Sequence, residues 1–198
     1  MTNGVKINDE AIDAVFLKAR TFNHWQKKDV PDALLKQVYD LTKMAPTSAN
    51  CSPARIVFVK SEEQKERLRP YLDKGNVDKT MSAPVTAIIA QDRKFYEYMP
   101  KLFPHTDAKS WFVGKPDYIE STMRRNGTLQ GGYFILAARS LGLDCGPMSG
   151  FDAAGVKKEF FPDLDGEIDF LCNLGYGDPE GMFPRSPRFD FDDVCKIV

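Results

Sequence analysis

Thr47, Ser48, Asn50 and Ser52 stand within one short run closed by Pro46 and Pro53. They offer hydroxyl and amide groups without bulk, so the run could lie flat against a planar polar heterocycle and match its hydrogen-bonding edge. It also reads as a polar connector, since Ser, Asn and Pro are ordinary turn residues. Three other segments concentrate groups of this kind: Arg20-Thr21-Phe22-Asn23-His24-Trp25, then Asn76-Val77-Asp78-Lys79 with Ala83-Pro84 after it, and Gly146-Pro147-Met148-Ser149-Gly150-Phe151-Asp152. Metal chemistry is not expected. Cys51, Cys145, Cys172 and Cys195 form no C-x-x-C pair, and the 2 histidines form no H-x-x-x-H. A serine hydrolase is conceivable, but no G-x-S-x-G occurs.

Periodicity supplies the elements that must position these groups. Ile12, Phe16 and Ala19 predict a helix over Asp9–Ala19, with a polar turn from Arg20 to Trp25. Pro31 opens a second helix carrying Leu34, Val38, Leu41 and Ala45, and Pro46 stops it by biasing Ala45 out of the helical region. Arg55–Val59 reads as a strand. Ser61-Glu62-Glu63-Gln64 reads as a capping box that opens a helix to Leu72. Val85–Ala90 is apolar enough for a central strand. Residues 96–116 form an irregular, aromatic-rich insert, and a loop of that length is usually functional or mobile. A long helix from Asp117 to Leu141 contains Gly127, Gly131 and Gly132, which suggest close packing of another helix, such as one across a subunit interface; Gly142 ends it. A helix over Ala153–Phe160, a strand over Asp169–Leu174 and an extended Pro- and Arg-rich tail follow.

The chain of 198 residues supports one sizeable core. This is read as a single α+β domain, 1–198. A net charge of -1 gives no field for nucleic acid or an anionic membrane. The amino terminus lacks the apolar core of a signal peptide, and no apolar run is long enough to span a bilayer. A cytoplasmic protein with reduced cysteines is expected.

The runs PTSANCSPARIVFV, GNVDKTMSAPVTAIIA, LFPHTDAKSWF and LGLDCGPMSGFD occur in that order. With them the chain resembles the flavin-dependent nitroreductase family, and within it the malonic semialdehyde reductases of pyrimidine degradation. The resemblance extends from about Arg20 to Arg188. It implies a nitroreductase-like fold, a mostly antiparallel sheet flanked by helices, in an interlocked homodimer. It also implies two FMN molecules at the subunit interface, with NADPH or NADH as reductant.

By the same resemblance, Arg20, with Thr21 and Asn23 beside it, faces the FMN phosphate. Arg185 and Arg188 match a carboxy-terminal basic pair that returns to that phosphate, and either could be the one that meets it. Forked guanidinium donors suit such a dianion. Asn76 and Lys79 match an Asn-x-x-Lys pair at the pyrimidine edge, where a cation would stabilise the reduced, anionic ring. Many relatives carry a further Lys or Arg where this chain has Asn23, so Lys79 would bear more of that role, with His24 its possible helper. Pro147, Met148, Ser149 and Gly150 match the turn that passes one face of the ring; relatives often have Glu in place of Ser149. Pro46, Thr47, Ser48 and Asn50 would come from the partner chain.

The implied reaction is ping-pong hydride transfer to a small semialdehyde, giving 3-hydroxypropionate from malonic semialdehyde. Candidates for the proton donor and the carboxylate cation are His105, Lys109, Ser110, Arg124 and Arg125, with Trp111 and Phe112 as walls. A broad nitroaromatic or quinone reductase and a non-catalytic flavin-binding protein are the alternative readings.

Overall fold

Every residue of β2 (Val85–Asp92) is buried, as befits a strand with neighbours on both edges and helices on both faces. A computed structural model describes residues 4–198 and places β2 between β1 (Ala54–Val59) and β4 (Gly166–Gly175), with β3 (Asp144–Met148) on the far side of β4. The order is β1-β2-β4-β3 and every pair is antiparallel. Side chains alternate across β2. Val85, Ala87 and Ile89 join one core with Leu35, Val38, Phe134 and Ala138, under α2 (Asp32–Thr42) and α6 (Pro116–Ser140). Ile88 and Ala90 join another with Leu68, Leu72, Val156 and Leu171, under α3 (Glu62–Leu68) and α7 (Ala153–Phe160). The fold is therefore a four-stranded antiparallel sheet flanked by helices on each face, the α+β architecture expected.

A third apolar cluster underlies the segment 96–116. Phe95, Met99, Ala108, Phe112, Ile119, Met123 and Cys51 pack together. The segment is not a bare loop: it holds helical turns at Met99–Leu102, here α5, and at Ala108–Trp111.

Several expectations need correction. The first helix is α1 (Asp9–Ile12) followed by a π turn over Asp13–Leu17, and no residue of it is buried in the chain's own core. At Ser61 the hydroxyl accepts from the Gln64 N–H, while Gln64 Oε1 takes Arg67 instead of returning to the cap. α4 (Lys74–Ser82) and β3 are elements that periodicity did not suggest. The glycines of α6 accommodate the chain's own sheet rather than another helix. A Cβ at Gly127 would lie 2.6 Å from Gln91 Cγ, and one at Gly131 would lie 2.5 Å from Phe170 Cε1. Only Gly132 faces open space. The tail closes with α8 (Phe191–Val194), capped reciprocally by Asp190 and Asp193.

Candidate active site

Three of the four polar segments meet at the β3 edge. Thr21 bridges Cys145 in parallel, and the Phe22 N–H donates to the Cys145 carbonyl at 3.1 Å. Trp25 Nε1 donates to the Lys79 carbonyl at 3.0 Å, tying the first segment to α4. Asn76 Nδ2 donates to the Gly150 carbonyl at 2.7 Å, tying α4 to the turn after β3. A Cβ at position 150 would lie 2.6 Å from Asn76 Nδ2 and 2.8 Å from Asp73 Oδ2, so a side chain there would displace the amide that ties the turn to α4. Met148 is buried and its sulfur accepts from Thr80 Oγ1 at 3.5 Å, so its side chain turns inward. Pro147 is half-buried and Ser149 exposed.

Two guanidinium groups converge beside this edge. Arg20 Nη2 donates to the Phe183 carbonyl at 2.5 Å, and Arg185 Nη2 donates to the carbonyls of Leu17 and Ala19 at 2.7 and 2.9 Å. The tail is thereby latched to the end of the π turn from both sides. Arg188 is not gathered there; its Nη1 bonds the neighbouring Ser186 and Pro187 carbonyls. Lys79 is half-buried, and burial lowers its ammonium pKa below the ordinary lysine value. Its Nζ has no hydrogen-bond or carboxylate partner among the described residues. A half-buried cation without an anion fits a binding or catalytic role.

The 46–53 loop lies elsewhere. Ala49, Asn50 and Ser52 adopt positive φ of 49°, 53° and 40°, a conformation L-residues seldom hold unless their surroundings impose it. The surroundings here do so. Asn126 Oδ1 accepts from the Ser48 N–H at 2.8 Å, Gln130 Oε1 accepts from the Ala54 N–H at 2.9 Å, and Asn50 Nδ2 donates to the Leu102 carbonyl at 2.8 Å. Thr47 Oγ1 accepts from the Ser52 N–H at 3.2 Å. Cys51 anchors the loop from beneath, and burial pushes its thiol pKa up to about 11. Ala54 pairs with Gln91 at the far end of β2, whereas Val85 begins that strand just after Lys79. Seven residue steps at 3.3 Å put the loop and Lys79 at opposite ends of a strand about 23 Å long. One chain does not bring all four segments together.

The other candidates separate. Lys109 is paired with Glu97, whose carboxylate raises the lysine pKa. Arg124 is paired with Glu120 and Glu167. Arg125 is exposed and makes no ion pair among the described residues, one position before the Asn126 that holds Ser48. His105 is exposed, its ring edge-on to Phe103 at 5.5 Å between centroids. Asn126 and Gln130 were missed in the sequence, although two amides four apart on a buried helix face could have marked them.

The sequence model of the nitroreductase family matches residues 18–176. The chain belongs to the nitroreductase family. A relative from Burkholderia lata, provisionally named NADH dehydrogenase/NAD(P)H nitroreductase, is 61% identical over 191 residues, covering 96% of this chain and 98% of the relative. One from Polynucleobacter asymbioticus with the same provisional name is 58% identical over 192 residues, 97% of this chain and 98% of the relative. Among solved structures, a provisionally named nitroreductase from Exiguobacterium sibiricum, in complex with FMN, matches this nitroreductase fold with a TM-score of 0.84 at 17% identity, covering 98% of this chain and 99% of that one.

Proposed function

We propose that this chain, an FMN-dependent NAD(P)H oxidoreductase of the nitroreductase family, reduces a small semialdehyde such as malonic semialdehyde to the hydroxy acid. The observation that carries the cofactor reading is the joining of the Arg20, Lys79 and Gly150 segments by hydrogen bonds at the β3 edge. Two guanidinium groups suit a phosphate, the anion-free Lys79 suits the polar edge of a ring, and a Cβ at Gly150 would push against the Asn76 amide that holds the turn. These donors fit FMN. When bound, FMN supplies the hydride chemistry, taken from NADPH or NADH and delivered to the acceptor.

The protein's part is to hold and to protonate. Arg20 and Arg185 bind the phosphate, Asn76 fixes the Gly150 turn, and Lys79 faces the pyrimidine edge. The full site is built by two copies of the chain in an interlocked homodimer. This is supported by the separation of the 46–53 loop from Lys79 along β2, and by an exposed tail. Pro46, Thr47, Ser48 and Asn50 of one copy then close the site of the other. With Lys109 engaged by Glu97, His105 is left to give a proton to the alkoxide oxygen, and Arg125 to hold the substrate carboxylate. All four cysteines are free thiols, which suits a cytoplasmic setting. No helix among the described residues is long and apolar enough to cross a membrane.

A broad nitroaromatic or quinone reductase is the second reading, supported by the provisional names of the relatives. Purified protein that carries flavin absorbance and oxidises NADPH or NADH faster with malonic semialdehyde than with a nitroaromatic supports the first. The reverse preference supports the second, and a single stoichiometric reduction without turnover points to a flavin store.

A further inference from the structure

Lys79 Nζ has no partner among the described residues, so its backbone is the part of the residue that the fold holds. That backbone is held from outside the helix. The Lys79 carbonyl lies in the last turn of α4, where carbonyls lack helical partners. It accepts from Trp25 Nε1 at 3.0 Å and from Asn173 Nδ2 at 3.1 Å. Asn173 lies in β4 and is fully buried. Its other amide hydrogen lies toward Thr80 Oγ1 at 3.4 Å, its Oδ1 accepts from Thr86 Oγ1 at 2.7 Å, and Thr80 Oγ1 donates to Met148 Sδ. The donors run one way, from Thr86 to Asn173 to Thr80 to Met148, so the amide orientation is fixed and all its groups are engaged.

β4 needs none of this to stay in the sheet, since it pairs with β2 on one edge and β3 on the other. An apolar side chain at position 173 would satisfy the core without the cost of burying an amide. The two ends of the network are the carbonyl of Lys79 and the sulfur of Met148, two residues before Gly150.

We propose that Asn173 is a positioning residue of the reductase site, setting from inside the sheet the placement of Lys79 relative to the Pro147–Gly150 turn. This rests on the role given to Lys79 above. Asn173 fixes the last turn of α4 directly and the turn after β3 through Thr80, while Trp25 holds the same carbonyl from the first segment.

The test compares wild type with Asn173→Leu/Thr86→Val, in which no hydroxyl is orphaned by loss of the amide. Trp25→Phe removes the second bond to the Lys79 carbonyl. Two quantities are read: the pH profile of Lys79 acetylation in apoprotein, followed by mass spectrometry, and the ratio of affinities for reduced and oxidised FMN. A double variant that unfolds cooperatively should acetylate Lys79 with the profile of an ordinary surface lysine. Its preference for reduced FMN should fall about tenfold, equal to about 30 mV of two-electron potential. Trp25→Phe should move both readings in the same direction. The proposal is overturned if a folded double variant keeps both readings, or loses affinity equally for both redox states. If the double variant does not fold, the same two readings on the single variant Asn173→Ser, which also removes the amide bond to the Lys79 carbonyl, decide. A wild type that binds no FMN refutes the reading of the site itself, while the acetylation profile still decides whether the clamp governs Lys79.

Discussion

Lys79→Met removes a charge while keeping roughly the side chain's length and volume, and its effects should divide by state. In apoprotein the ammonium is partly desolvated and has no anion among the described residues. Its folded-state pKa therefore lies below its unfolded value, and the folded chain binds fewer protons between the two. The stability of wild type relative to Lys79→Met should therefore rise as pH approaches the ordinary lysine pKa. At neutral pH the variant apoprotein should be no less stable than wild type, since it has lost only an uncompensated charge. With cofactor the sign reverses. Reduced FMN would lose a hydrogen bond between charged groups, about 1.5–3 kcal/mol, or roughly tenfold to 150-fold in affinity. Oxidised FMN, neutral at that edge, should lose much less, so the two-electron potential should fall by about 30–65 mV. Denaturant unfolding of apoprotein at neutral and alkaline pH, with a reductive titration of the holoprotein against a reference dye, measures both. A wild-type potential, or an apoprotein destabilised by more than about 1 kcal/mol, would refute the assignment.

Arg20→Met and Arg185→Met should weaken oxidised and reduced FMN alike in calorimetric titration, because the proposed site gives both cations to the phosphate. Arg188→Met, whose guanidinium serves its own segment, should do so least. Gly131→Ala should lower folding stability by about 1–3 kcal/mol, the cost of overpacking against Phe170, without altering assembly. Gly132→Leu, on the open face, should leave the unfolding midpoint intact and shift the sedimenting species toward monomer. A thiol reagent should label Cys195 alone in the native protein and all four cysteines in denaturant. Relative to Cys51→Ala, the wild type should lose stability as pH rises from 9.0 toward about 11, where an unfolded Cys51 ionises and the buried one does not.

What was legible in the sequence tracked local signals. β2 announced itself as an unbroken apolar run, and α6 by spacing between Pro116 and Gly142. β3 did not, because Gly146 and Pro147 are poor strand formers, and only pairing with β4 makes the segment a strand. α4 is polar and begins Lys74-Gly75-Asn76, with no apolar stripe to read. Its last turn is held by Trp25, Asn173 and Lys65, residues distant in sequence. For Gly127 and Gly131 the close approach was legible and the neighbour was not, since a missing Cβ is silent about what fills its place. The site was legible as four segments. That three of them meet in one chain while the fourth stands at the other end of β2 is a property of strand register alone.

That separation has a genetic consequence. If each site draws Lys79 from one chain and the 46–53 loop from another, two inactive proteins can repair one another. A chain lacking a working Lys79, co-expressed with a chain whose loop is broken, would form hybrids bearing one site with both lesions and one with neither. Such hybrids would regain up to half of the normal activity per molecule, although neither parent has any. Two lesions at the same end of β2, Lys79 and Gly150 for example, would show no such rescue, because every hybrid site would carry one of them.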